Sequence, residues 1–167
     1  MPPRASTAVQ PREPVPVRDS IDLGLLRGVL GFRLRRIQNH LAQTFSQALA
    51  GRDMKSGEFS ALAIISANPG ISQIELSRFG GFDKASVVLL IDDLQRWGWA
   101  VRERSTQDRR RHALYVTPLG DKMLVELMEV AKDNEAKIAA AMSPEELEGL
   151  YAALDRIYDV CFTDDAS

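Results

Sequence analysis

Three consecutive arginines, Arg109, Arg110 and Arg111, form the densest concentration of reactive charge in this chain. Side by side they repel one another and add nothing to a fold. Beside a phosphate backbone the same guanidiniums displace condensed counterions and offer paired donors to phosphate oxygens. They stand in Thr106-Gln107-Asp108-Arg109-Arg110-Arg111-His112, where Asp108 suits a turn through an Asx-type backbone bond. On either side, residues 99–105 and 113–117 have strand-like composition. Leu114 and Val116 fall on one face, and Ala113, Tyr115 and Thr117 on the other. The expectation is a β-hairpin with a cationic tip.

The elements that must hold such a hairpin lie just before it. Ser72 and Glu75 have the spacing of a capping box, with Ile71 and Leu76 placed as a hydrophobic staple. Gly80-Gly81 ends that helix, and Asp83 is a good N-cap for a second one. Val87, Leu90, Ile91 and Leu94 then recur at helical spacing as one buried stripe, and Gly98 closes the helix. Two helices joined by a short glycine turn are the sequence form either of a plain helical hairpin or of a helix-turn-helix, whose second helix lies in the major groove of DNA. A hairpin appended to it is a wing.

At this point the chain resembles a family. Ser72-Gln-Ile-Glu-Leu-Ser-Arg78, Asp83-Lys-Ala-Ser-Val87 and Asp108-Arg-Arg-Arg-His-Ala-Leu-Tyr-Val-Thr-Pro-Leu-Gly120 look like the multiple-antibiotic-resistance regulator (MarR) family. The last run is similar to the family's D-R-R-x-x-x-x-x-L-T-x-x-G wing signature, with Val116 in place of Leu. The resemblance implies a mainly α fold with a small β-hairpin wing, and N- and C-terminal dimerisation helices around a winged helix-turn-helix. It implies a homodimeric, cytoplasmic transcriptional regulator, usually a repressor, that binds a pseudo-palindromic operator in double-stranded DNA. Release by a small aromatic or anionic effector, such as an aromatic acid or an acyl-CoA thioester, is the expected control.

The resemblance assigns DNA contacts to Gln73, Lys84, Ala85, Ser86, Val88 and Leu89 on the two helices, and to Arg109, Arg110 and Arg111 on the wing. Arg110 is the one expected to enter the minor groove. The recognition helix departs from the family where Ser, Thr and Arg are common. Val88 and Leu89 stand there, and these can touch thymine methyls but cannot hydrogen-bond a base edge. Specificity is therefore expected to lean on DNA shape read by the wing. The wing also has Ser105-Thr106 where the family often has Asp-Pro.

The remaining chain reads as scaffold. Residues 1–18 contain five prolines and are expected to be a disordered arm. Residues 19–50 and 118–162 form the helical dimerisation region, and residues 51–117 the DNA-binding region, in one compact domain overall. A single long helix is expected over residues 21–50, with Leu26, Leu30, Leu34 or Ile37, Leu41, Phe45 and Leu49 at spacings of three and four. Arg33, Arg36 and His40 share one of its faces and are the candidate anion site for an effector, the alternative being a solvated face or one paired with the acidic C-terminal helix of a second subunit. Ser56 caps the helix that supports the head. Thr117-Pro118 and Ser143-Pro144-Glu145-Glu146 cap the last two helices.

The net charge of −2 does not advertise nucleic acid, but local charge does. Arg102 to His112 holds five arginines against Glu103 and Asp108, whereas from Ser143 onward seven carboxylates face Arg156 alone. Two histidines, no metal-ligand spacing, no phosphate-binding glycine loop and no nucleophile motif leave no catalytic residue, no metal site and no cofactor to expect. No apolar run is long enough to span a membrane, and the one cysteine precludes an intramolecular disulfide. Two other readings remain. One is a winged-helix protein-interaction module with no DNA role, which has no need of the arginine tip. The other is a thiol-based redox regulator acting through Cys161, although no cysteine stands in the N-terminal helix where thiol-sensing relatives keep theirs.

Overall fold

The structure, a computed structural model, describes residues 22–49, 54, 56–104 and 112–162. The expected arm over residues 1–18 and the wing tip with Arg109, Arg110 and Arg111 lie outside the described residues. The chain divides into two compact units between Arg35 and Arg36.

The first unit corrects the expectation of one unbroken helix over residues 21–50. Gly24–Gly28 is a 3-10 helix, Val29 is extended (φ −93°, ψ 107°), and α1 begins only afterwards, at Leu30–Ala48. The reason is glycine. Gly24 sits at φ +51°, which an α-helix excludes, and Gly28 and Gly31 further weaken helix propagation. Local polar bonds secure the 3-10 turn instead. Asp22 accepts from the Gly24 N–H at 3.1 Å and pairs with Arg27 at 3.3 Å, and Arg33 Nε donates to the Arg27 carbonyl at 2.7 Å.

The second unit contains α1 from Arg36 onward and the remaining elements: α2 (Ser56–Ala67), β1 (Ile71–Ser72), α3 (Gln73–Gly80), α4 (Lys84–Arg96), β2 (Ala100–Arg104), β3 (His112–Val116), α5 (Pro118–Ala139) and α6 (Pro144–Phe162). Its core takes fully buried side chains from five of them. Leu62 and Ile65 come from α2, Leu76 from α3, and Val87, Ile91 and Leu94 from α4. Leu114 comes from β3 and Leu127 from α5. Burying each such side chain contributes about 1.5–3 kcal/mol.

The sheet has three antiparallel strands in the order β1-β3-β2. The hairpin is as expected, with Val101 opposite Tyr115 and Arg102 opposite Leu114. The third strand is not. Ile71 pairs with Leu114 and Ser72 with Ala113, and the Gly70 N–H donates to the Leu114 carbonyl at 2.8 Å. The segment read as a staple is thus also the edge strand that ties α3 to the hairpin.

The helix starts follow the sequence closely. Thr117 caps α5, its hydroxyl accepting from the Gly120 N–H at 3.0 Å and donating to the Gly98 carbonyl at 2.6 Å. Ser143 and Glu146 exchange bonds at the head of α6, at 2.8 and 3.3 Å. At Gly120, α5 presses onto the hairpin so closely that an added Cβ would lie 2.1 Å from the Trp99 carbonyl oxygen. That oxygen belongs to backbone and accepts from the Thr117 N–H at 2.9 Å, so it cannot swing aside. Gly120→Ala is expected to destabilise the protein by about 1–3 kcal/mol or more through overpacking. Denaturant unfolding followed by far-UV circular dichroism checks this, and an unchanged midpoint would contradict it.

Candidate nucleic-acid interface

The α3–turn–α4 unit is built from local bonds. Ser72 Oγ accepts from the Glu75 N–H at 3.2 Å, and the Glu75 carboxylate accepts from the Ser72 N–H at 2.8 Å. The chain leaves α3 at Gly81, whose φ of +66° places it in the left-handed region. Ser77 grips both sides of the turn. Its carbonyl accepts from the Phe82 N–H at 3.0 Å, and its hydroxyl donates to the Phe82 carbonyl at 2.8 Å.

Asp83 then opens α4, accepting from the N–H groups of Ala85 and Ser86 at 3.0 and 2.9 Å. The Ser86 hydroxyl also donates to the Asp83 carboxylate. That bond commits the one hydroxyl expected to meet DNA. Its proton is held by the cap, so only its lone pairs face outward, and they accept from an adenine or cytosine amino group but donate to nothing.

The two faces of α4 separate cleanly. Val87, Ile91 and Leu94 are buried, whereas Lys84 and Ala85 are exposed and Val88 and Leu89 are 36% and 65% exposed. Leu89 is therefore mostly open to solvent, and Val88 about a third so. Gln73 is half-buried at the start of α3. Between α3 and α4 runs a cleft of about 420 Å³, lined by Gln73, Ile74, Ser77, Arg78, Lys84 and Val87. It brings together Gln73 and Lys84, which the sequence singled out, and adds Arg78 and Ile74, which it did not. Arg78 falls four residues after Ile74 on α3, and Ile74 is 75% exposed. Their shared face was the available signal.

The hairpin is fastened to the recognition helix by a pair absent from any local motif. Arg102 on β2 forms an ion pair with Asp92 on α4, and the rings of Trp97 and Trp99 pack at 4.7 Å between centroids. These contacts join β2 and the turn before it to α4.

Elsewhere, Arg33, Arg36 and His40 all lie exposed on α1. Cys161 is exposed on α6. Among the described residues no group of His, Cys, Asp and Glu is arranged to hold a metal, and no helix is long and apolar enough to cross a membrane.

The Asp83 carboxyl is held below its ordinary value of 3.8, first by the Ser86 hydroxyl and then by the Ser86 N–H. A depressed acid stabilises the fold above its unfolded pKa and loses that contribution as pH falls through the folded value. Asp83→Ala is therefore expected to lower Tm at neutral pH, with the gap to the native protein closing as pH drops below about 4. A gap that persists unchanged at pH 3 would contradict the cap.

Comparison with known proteins agrees with this geometry. Residues 52–111 match the model of the MarR family. Over 136 residues the chain is 32% identical to a proposed transcriptional regulatory protein for the hcr operon of Thauera aromatica, covering 81% of this chain and 82% of that one. It is 28% identical over 126 residues to the HTH-type transcriptional repressor YetL of Bacillus subtilis (strain 168), covering 74% and 72%. Among solved structures, the transcriptional repressor CouR bound to a 23-mer DNA duplex superposes with a TM-score of 0.73 at 29% identity, over 83% of this chain and 98% of that chain. The chain belongs to the MarR family: it is a winged helix-turn-helix transcriptional regulator that binds DNA, and it is not an enzyme.

Proposed function

We propose that this regulator acts as a homodimeric repressor on a pseudo-palindromic operator. Each subunit reads one half-site, and the half-sites lie about one helical turn apart. The observation that carries this reading is the outward face of α4. Lys84, Ala85, Val88 and Leu89 are exposed there while the opposite stripe is buried, and the hairpin is locked beside it by Arg102 and Asp92. In the CouR complex a repressor of related sequence is bound to duplex DNA.

In this reading Lys84, Gln73 and Ser86 contact phosphates and base edges, and Val88 and Leu89 contact thymine methyls. Arg109, Arg110 and Arg111 contact phosphates and the minor groove. Dimerisation is supported by large apolar side chains exposed on α5 and α6, among them Val125, Tyr151, Tyr158 and Val160. Effector binding is assigned to the dimerisation side. There α1, α2 and α5 enclose a small cavity of about 160 Å³ bordered by Gln38, Phe45, Phe59 and Asn134. Arg36 and His40 of α1 are the groups that suit the carboxylate of an aromatic acid or the phosphates of a thioester.

Operator binding by fluorescence anisotropy tests this reading. Arg110→Ala is expected to cost about 1–3 kcal/mol of specific binding and to flatten the salt dependence. Replacing half-site thymines by deoxyuridine is expected to weaken the native protein by about 0.8 kcal/mol per lost methyl contact, and to leave Leu89→Ala indifferent. An aromatic carboxylate is expected to dissociate the native complex at concentrations that spare Arg36→Ala. Full affinity in Arg110→Ala, or equal sensitivity of both proteins to deoxyuridine, would contradict the proposed contacts.

A further inference from the structure

The cavity of about 160 Å³ between α1, α2 and α5 has walls of unequal stiffness. Its α1 and α5 walls are clasped to each other. The Asn134 side-chain amide of α5 donates to the Leu41 carbonyl of α1 at 3.0 Å, and both residues line the space. The third wall is α2, which contributes Ser56, Phe59 and Ser60. Phe59 meets α1 through its ring, 5.3 Å from that of Phe45 between centroids. The Ser60 hydroxyl donates to the Ser56 carbonyl of its own helix at 3.0 Å. Ring contact is non-directional and tolerates sliding, whereas a hydrogen bond demands its geometry. A cavity of this size takes one aromatic ring. A larger occupant makes room by moving α2 away from α1 and α5.

The same turn of α2 also touches the recognition helix. Gly57 stands next to Ser56 and two residues before Phe59, and Leu90 of α4 is seated against it. An added Cβ at Gly57 would lie 3.2 Å from Leu90 Cδ2, so the absent side chain leaves a notch that the leucine fills. Leu90 stands between Leu89, which is 65% exposed, and Ile91, which is fully buried. A close-packed contact of this kind transmits displacement instead of absorbing it.

We infer that the seat of Leu90 on Gly57 couples the cavity to the DNA-reading face. An occupant that pushes α2 away from α1 and α5 carries α4 with it, and Leu90 is the positioning residue through which Lys84, Val88 and Leu89 lose their placement on DNA. This rests on the effector reading of the cavity and adds the route by which an occupant reaches the duplex.

The test measures operator affinity by fluorescence anisotropy with and without saturating 2-naphthoate, a carboxylate whose two fused rings exceed the resting cavity. The ratio of the two affinities reports coupling and cancels any change in binding of DNA alone. The native protein is expected to show a ratio of about tenfold, falling below about twofold in Leu90→Ala. Calorimetry without DNA is expected to give the same 2-naphthoate affinity for both proteins. Gly57→Ala/Leu90→Ala, in which the new methyl partly refills the notch, is expected to regain part of the ratio. A second arm needs no ligand. Ala131→Leu fills the cavity from α5 and is expected to weaken operator binding several-fold in the native background but not beside Leu90→Ala. An undiminished ratio in Leu90→Ala, or a loss that merely follows lost 2-naphthoate binding, would overturn the proposal, as would equal effects of Ala131→Leu in both backgrounds. If 2-naphthoate fails to bind while Ala131→Leu acts through Leu90, the effector reading falls and the coupling stands.

Discussion

Val87, Ile91 and Leu94 carry one side of α4 into a core where they meet aliphatic side chains from α2, α3, β3 and α5. A helix has only one such stripe to bury, so its burial decides which residues remain outside. Rotating α4 by a single position would expose part of that stripe and bury Lys84 or Leu89, at a cost of several kcal/mol. The identity of the outward face is therefore a consequence of packing. Lys84, Ala85, Val88 and Leu89 are presented because their neighbours are needed inside.

The hairpin depends on the same core. Leu114 anchors β3 beneath the sheet, and β3 in turn pairs with β2 on one edge and β1 on the other. The turn that ends α4, the start of β2 and the start of α5 meet around Trp99, where Thr117 and Gly120 crowd its carbonyl. Arg102 and Asp92 add an ion pair between strand and helix. It is partly exposed and worth little to stability in isolation, but it sets direction. The ion pair ties the described base of the hairpin, residues 100–104 and 112–116, to α4. The molecule as a whole is slightly acidic, with a net charge of −2.

What could be read from the sequence was what is decided locally. The caps at Ser72, Asp83, Thr117 and Ser143 involve partners within three residues, and each formed as spaced. The inward and outward faces of α4 followed from periodicity alone. β1 did not, because two residues are too few to show alternation and their partners lie about forty positions away. The break before α1 was hidden by the apolar repeat running through it, and the glycines that cause it carry no side chain to interrupt such a repeat. Arg102 with Asp92, and Arg78 at the α3–α4 cleft, are products of tertiary placement. The bond from the Ser86 hydroxyl to the Asp83 carboxylate was not read from the sequence, although the two residues stand within one helical turn.

Dimethyl sulfate footprinting tests the central claim most directly, since the reagent methylates guanine N7 in the major groove and adenine N3 in the minor groove of the same duplex. The account predicts two clusters of guanine N7 protection on one face of the operator, about ten base pairs apart, each flanked on its outer side by protected adenine N3. Protection confined to one groove, or N7 clusters on opposite faces of the duplex, would contradict a paired helix-and-wing grip.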